Sequence, residues 1–412
     1  RNRLLKGSIM QTALMSSRER IRCSLDHREP DRVPNDLGSS PVTGIAASAY
    51  ELLMKEFGAD LPLRIAPGLQ LAIADDEVQD RLGCDVRRLG ERPLQWREWT
   101  FADGTHGLID ADFPIHARDD GSQIVTLDGG GELYMPPGGW FFDPVSEKAP
   151  MADVTTVAEV EAFYESLPKR HPSKEMQDAI VDDAERLHAE NKYALFGDFG
   201  SAVFESWQNR GFESYLMDFL AQPDVADALM RLHSEFWLEY WRPVLERMGH
   251  LLDVIWVSDD MGAQNSLIIS EDTYRDMVKP LHARHWSEMK RMAPNAKLFL
   301  HSCGAIETLI PDFIELGVDI LNPIQVSAKG MNPVDLKAKY GRDIVFWGGG
   351  VDTQNVLQGA SPQVVRDEVK KRIDELAPGG GFVFATVHDI QPGTPPENII
   401  AAFETVLEYG RY

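Results

Sequence analysis

Cysteine is scarce in this chain: Cys23, Cys84 and Cys303 are the only three among 412 residues. So few thiols in so long a chain exclude a disulfide framework and point to a reducing compartment. Long apolar runs are missing too. None reaches the roughly 18 residues that a bilayer-spanning helix needs. The first twenty residues, charged at both ends, lack the apolar stretch of a secretory leader, so a cytoplasmic location is expected. Positive charge is in deficit. With 41 basic against 65 acidic residues the net charge is -24, which repels nucleic acid and anionic membrane and removes both as expected partners. Neither a repeat of solenoid period nor a low-complexity tract is found.

What the chain does have is apolar material in a regular rhythm. Hydrophobic residues make up 43% of it, enough for a large core. From about residue 190, short apolar runs alternate with longer stretches in which apolar residues recur every three or four positions, the pattern of parallel βα units. Strands are expected over 194–199, 253–258, 296–300, 318–323, 344–348 and 382–387. Helices are expected over 223–246, 270–292, 305–315 and 362–376. Two earlier runs, 32–36 and 85–89, bring the strands to eight, the number that closes a (β/α)8 barrel. Residues 93–144 break the rhythm with aromatics and turn pairs such as Asp103-Gly104 and Asp120-Gly121, and read as inserted β-hairpins. Trp96, Trp99, Trp140, Phe141 and Phe142 either line an apolar substrate pocket or pack the insertion onto the barrel. Residues 145–190 read as a solvated helical connector. The expectation is a single α/β domain over 1–412, a TIM-type barrel whose insertion lies over the C-terminal mouth.

Chemistry-bearing residues gather at the ends of these strands. His301-Ser302-Cys303-Gly304 follows the run 296–300. Two residues apart on extended chain, His301 and Cys303 point the same way. Imidazole nitrogen with thiolate sulfur suits Zn2+ better than Mg2+ or Ca2+. A third ligand is available in His388, which ends the run 381–387. Barrels of this kind carry their active sites at the C-terminal ends of several strands. The same rim reading adds Asp198, Asp259, Asp260, Asn322, Gln325 and Trp347. Asp259 and Asp260 are candidates for proton chemistry, and Asp260 also for a fourth ligand. Asp198, Asn322, Gln325 and Trp347 are candidates for substrate contact. Each has an ordinary alternative as a turn or capping residue.

With these motifs in view, the chain resembles the uroporphyrinogen decarboxylase superfamily, and within it the zinc- and corrinoid-dependent methyltransferases. The resemblance rests on several segments in the same order: Ser17-Arg18-Glu19-Arg20 through Arg32-Val33-Pro34, Ser258-Asp259-Asp260-Met261-Gly262, His301-Ser302-Cys303-Gly304, Gly317 to Pro323, Phe346-Trp347-Gly348-Gly349, and His388-Asp389-Ile390-Gln391-Pro392. It implies a TIM-like barrel and, often, a homodimer. It also implies zinc and a corrinoid on a partner protein, with a methyl group passing between that corrinoid and a small methylated substrate.

Two departures refine this. Decarboxylases of the superfamily carry an arginine-containing segment near the first strand, whereas Asn35-Asp36-Leu37-Gly38-Ser39-Ser40 holds no cation for a multiply carboxylated tetrapyrrole. The thiol-methylating members pair H-x-C with a distant cysteine, and the resemblance puts His388 at that cysteine's position. Two neutral ligands and one thiolate leave zinc more electrophilic than two thiolates do. That favours demethylation of a substrate such as an aromatic methyl ether over methylation of a thiol or folate. A metal-independent decarboxylase of a smaller acid, using Asp259 or Asp260 with His388, is the alternative.

Overall fold

The computed structural model describes residues 14–412 except 128, 146, 147, 169, 170 and 201. The start of the segment expected to lack a leader, residues 1–13, lies outside the described residues. Seven parallel strands run side by side in chain order: Val86–Gly90, Ala194–Asp198, Val254–Ser258, Lys297–His301, Ile320–Asn322, Val345–Trp347 and Phe382–Val383. Nearly all of their residues are buried, as expected of strands covered on both faces.

Residues 32–36 supply the eighth stave and close the ring. The Asp36 N–H donates to the Phe384 carbonyl (2.9 Å) and the Phe384 N–H to the Pro34 carbonyl (2.8 Å). On the other edge the Asp85 N–H donates to the Asn35 carbonyl at 2.8 Å. Pro34 has no N–H to give, so this stave pairs through isolated bridges instead of a full ladder. The TIM-type barrel expected from the eight apolar runs is therefore the fold observed.

Strand alternation sorts the residues. Val86, Phe196, Trp256, Phe299, Ile320, Trp347 and Val383 belong to one inner cluster that fills the barrel. Phe196, Phe299 and Trp347 meet edge to face with ring centroids 5.1 to 5.9 Å apart. Such contacts each add about 0.5–1.5 kcal/mol to the area they bury. The helix Ser17–Leu25, started by a Ser16/Glu19 capping box, adds Ile21 and Leu25 to the same cluster. Arg18 and Arg20 of that helix pair with Asp253 (2.9 Å) and Asp85 (2.7 Å), each just ahead of a strand, so the helix plugs the N-terminal end. The outer helices, among them Pro223–Met248, Lys279–Met292, Pro362–Leu376 and Pro396–Tyr409, bury their apolar stripes against the strands' outward residues. The stretch read as a solvated connector contains Lys174–Glu190, which buries Ile180, Val181 and Ala184 and so serves as a barrel helix.

The insertion is antiparallel throughout. Trp96–Thr100 pairs with His106–Asp110, and four further strands form a meander from Ile115–Ala117 to Asp143–Pro144. Phe141 lines the same cavity as His388, which brings this end of the insertion to the C-terminal mouth. Trp96 lies under the Arg64 guanidinium and Trp99 donates to Gln123 Oε1 at 3.3 Å. Trp99 thus ties two strands of the insertion together, Trp96 packs the insertion against Arg64, and neither lines that cavity.

Candidate metal centre and active site

His301 is the last residue of its strand, in register with Ser258 on one side and Asn322 on the other. It is 3% exposed. The Asn322 amide fixes the ring: its Nδ2 donates to the Trp347 carbonyl (2.8 Å), which turns its Oδ1 toward His301 Nδ1 (2.6 Å). Nδ1 must then carry the proton, and Nε2 presents a lone pair to the barrel mouth. That lone pair faces Cys303 Sγ at 3.5 Å and Asp260 Oδ1 at 3.6 Å.

Cys303 sits in a tight turn. Its N–H donates to Asp260 Oδ1 (2.7 Å) and the Gly304 N–H to Gln325 Oε1 (2.7 Å). Gly304 has φ near +90°, and a Cβ there would come within 2.3 Å of the Gly262 backbone, so only glycine lets the two loops meet. His388 approaches from the last strand with its ring centroid 5.5 Å from that of His301. Its Nδ1 is engaged by the Asp389 carboxylate, which leaves Nε2 for a ligand. One ligand atom from each of His301, Cys303 and His388 lies within 4.8 Å of the other two.

Electrostatics suit a cation at this point. Burial pushes His301 down and keeps it neutral, the form that ligates. Burial also lowers His388, but the Asp389 carboxylate outweighs it and the net shift is upward. The Cys303 thiol is pushed far up, first by burial and then by the Asp260, Asp389 and Glu205 carboxylates. A bound dication would reverse that shift and draw out the thiolate.

The other rim candidates divide. Asp260 belongs to the cluster. Asp259 turns away and is fully engaged, accepting the Val203, Phe204 and Glu205 N–H groups at 2.9, 2.7 and 3.1 Å and meeting His282 Nε2 at 3.0 Å. Asp259, expected with Asp260 for proton chemistry, is placed by these contacts to hold that turn. Asn322 and Trp347 are fully buried. Trp347 Nε1 donates to Asp36 Oδ2 at 2.9 Å beneath the mouth, and Asn322 orients His301, so neither is placed for the expected substrate contact. Gln325 supports the Cys303 turn. Asp198 pairs with Arg88 (2.6 Å) and lines a cavity of about 390 Å3 together with Arg92; this cavity shares Leu69 and Leu71 with the one next to His388. His388 and Asp389 open onto a cavity of about 630 Å3 walled by Leu69, Leu71 and Phe141.

Sequence reasoning missed Glu205. This half-buried carboxyl accepts from Ser258 Oγ at 3.2 Å, and burial followed by Asp259 and Asp260 pushes it up to about 8. No motif announces it, because it lies in a loop whose position depends on Asp259.

The family model for uroporphyrinogen decarboxylase (URO-D) matches residues 169–409, more than half of the chain and all of the H-x-C to His388 region. The chain belongs to the URO-D family. A methyltransferase from Methanosarcina mazei has a solved structure that matches with a TM-score of 0.60, covering 96% of this chain and 99% of that one at 15% identity. At that identity the likeness establishes a shared fold. An endo-1,4-beta-xylanase from Caldicellulosiruptor owensensis reaches a TM-score of only 0.33 at 12% identity, covering 61% of this chain and 93% of its own. No curated protein matches the sequence. Within this URO-D barrel the loop after the first stave carries a buried acid. Asp36 accepts from Ser39 Oγ (2.5 Å) and Trp347 Nε1, and burial pushes its carboxyl up to about 6.

Proposed function

We propose that this URO-D family member is a methyltransferase that takes a methyl group from a small methylated substrate, an aromatic methyl ether being the favoured class. The acceptor is a Co(I) corrinoid carried by a partner protein. The observation that carries this reading is the convergence of His301, Cys303 and His388 within 4.8 Å at the barrel mouth. The donor set fits zinc. Tetrahedral zinc with bonds of about 2.0–2.3 Å sets its ligand atoms about 3.3–3.8 Å apart, and the His301–Cys303 separation of 3.5 Å agrees. Both imidazoles have their second nitrogen engaged, by Asn322 and Asp389, in the manner of metal-bound histidines.

Zinc held there would supply Lewis acidity toward the ether oxygen, the more so because two of its three protein ligands are neutral. The chain's own residues do the rest. Asn322 and Asp389 aim the imidazoles, Asp260 and Gln325 hold the Cys303 turn, and the cavity beside His388 receives the substrate. Phe141 brings the insertion to the wall of that cavity. The first loop, residues 35–40, holds no cation to neutralise several carboxylates, which argues against a tetrapyrrole decarboxylase.

The test is methyl transfer to Co(I) cobalamin, followed by its absorbance, with methoxylated aromatics and methylamines as donors. Methylation from an aromatic ether, faster than thiol methylation from methylcobalamin, supports the proposal. Ready thiol methylation with no transfer from any ether assigns the opposite half of the cycle. Decarboxylation of an aromatic acid by metal-free protein overturns it.

A further inference from the structure

Strand alternation carries two polar side chains into the barrel above its apolar filling. Val86 belongs to the inner cluster, so Arg88, two residues further along the same strand, faces inward as well. Phe196 belongs to it too, which turns Asp198 inward at the end of the neighbouring strand. Arg88 is the register partner of Phe196, and Gly90 that of Asp198. A Cβ at Gly90 would come within 2.3 Å of the Asp198 carbonyl oxygen, so glycine is required beside the pair. Arg88 Nε donates to Asp198 Oδ2 at 2.6 Å and Nη1 to the Glu91 carbonyl at 3.3 Å. Among the described residues no hydrogen bond engages Arg88 Nη2 or Asp198 Oδ1. Asp198 is only 6% exposed, and both residues line the cavity of about 390 Å3.

Counted round the ring from residues 32–36, this pair stands on the second and third staves, whereas His301 and Cys303 come from the fifth and His388 from the loop after the eighth. The two sites therefore face each other across the mouth. Pro41, Leu69 and Leu71 wall both the cavity of the pair and the cavity beside His388. An apolar wall between them fits an aromatic ring, with its methoxy group toward His388 and a polar group toward Arg88. Charge decides what that polar group is. Each arginine lining the pair's cavity is matched by an acid that lines it too: Arg87 by Asp76, Arg88 by Asp198 and Arg92 by Asp183. No positive charge is left over to hold an anion, and Asp198 would repel a carboxylate. A hydroxyl fits, because it donates to Asp198 Oδ1 and accepts from Arg88 Nη2 at once. A phenolic hydroxyl, with a pKa of about 10, is also uncharged at neutral pH. We propose that Arg88 and Asp198 read a free phenolic hydroxyl, so that the methyl donors of this protein are methoxyphenols, an assignment that rests on the methyl-transfer reading.

The experiment measures kcat/KM for methyl transfer to Co(I) cobalamin by zinc-loaded full-length protein, with the ortho, meta and para methoxyphenols, methoxybenzene and para-methoxybenzoate as donors. Calorimetry reads binding of the same compounds to the zinc-free protein. Hydrogen bonds to charged groups are worth on the order of 10–100-fold. At least one methoxyphenol should exceed methoxybenzene and methoxybenzoate by that factor in both measurements. Arg88→Met combined with Asp198→Leu removes both charges together and leaves neither unpaired in the interior. This double variant should lose the preference for the hydroxyl, with kcat/KM falling by the same factor for the methoxyphenol and much less for methoxybenzene. Equal loss on both donors assigns the pair a structural role and overturns the proposal. Wild type that uses methoxybenzene or methoxybenzoate as well as every methoxyphenol overturns it before any variant is made, and leaves methyl transfer standing. Hydroxyl-dependent binding with no transfer from any ether contradicts the methyl-transfer reading instead, and leaves the recognition pair in place.

Discussion

At the scale of single residues, the site depends on which nitrogen of His301 is free. Asn322→Ala removes the acceptor at Nδ1 and leaves the ring without an orienting partner, so zinc affinity should fall about 10–100-fold, as read by competition with a chromophoric chelator. His388→Cys restores a second thiolate. It should lower ether demethylation and raise thiol methylation, measured as the ratio of the two rates. Asp36 provides a pH test away from the metal. Its carboxyl is pushed up to about 6 in the fold against about 4 in an unfolded chain, so the native state binds the extra proton and stability from this group is lost as pH rises between those values. Asp36→Asn removes this titration, so its melting temperature should fall less than that of wild type on raising the pH from 4 to 7. His301, Cys303 and His388 were legible in the sequence because each ends an apolar run. The orienting role of Asn322 was not, because it depends on strand register.

At the scale of elements, continuous apolar runs give the strands and alternation along them decides what faces inward. On Val254–Ser258 the inner cluster takes Val254 and Trp256. Carrying that alternation forward puts Asp260 at the mouth and Asp259 behind it, which is the arrangement seen. The sequence thus held a signal separating these neighbouring acids, whereas Glu205 had none, since its place is set by a long-range clamp. Asp259→Ala would strand three N–H groups and His282 in the interior and should lower stability by about 3–5 kcal/mol in urea unfolding. Asp259→Asn keeps an acceptor oxygen and should lie closer to wild type.

At the scale of the whole molecule, eight staves closed by residues 32–36 bring residues far apart in the chain to one rim. The family match and the shared fold fit that architecture. The insertion was legible as β-hairpins from its turn pairs, but which of its aromatics reaches the mouth depends on how the meander packs, and Phe141 proves to be the one beside His388. The central claim is that one zinc ion joins His301, Cys303 and His388. Its most direct test is zinc stoichiometry by elemental analysis of wild-type and Cys303→Ser protein purified without chelator. We predict one zinc per chain in the wild type and strong loss in the variant, where a hydroxyl replaces the thiolate. Zinc near zero in the wild type, or full retention by Cys303→Ser, would contradict it.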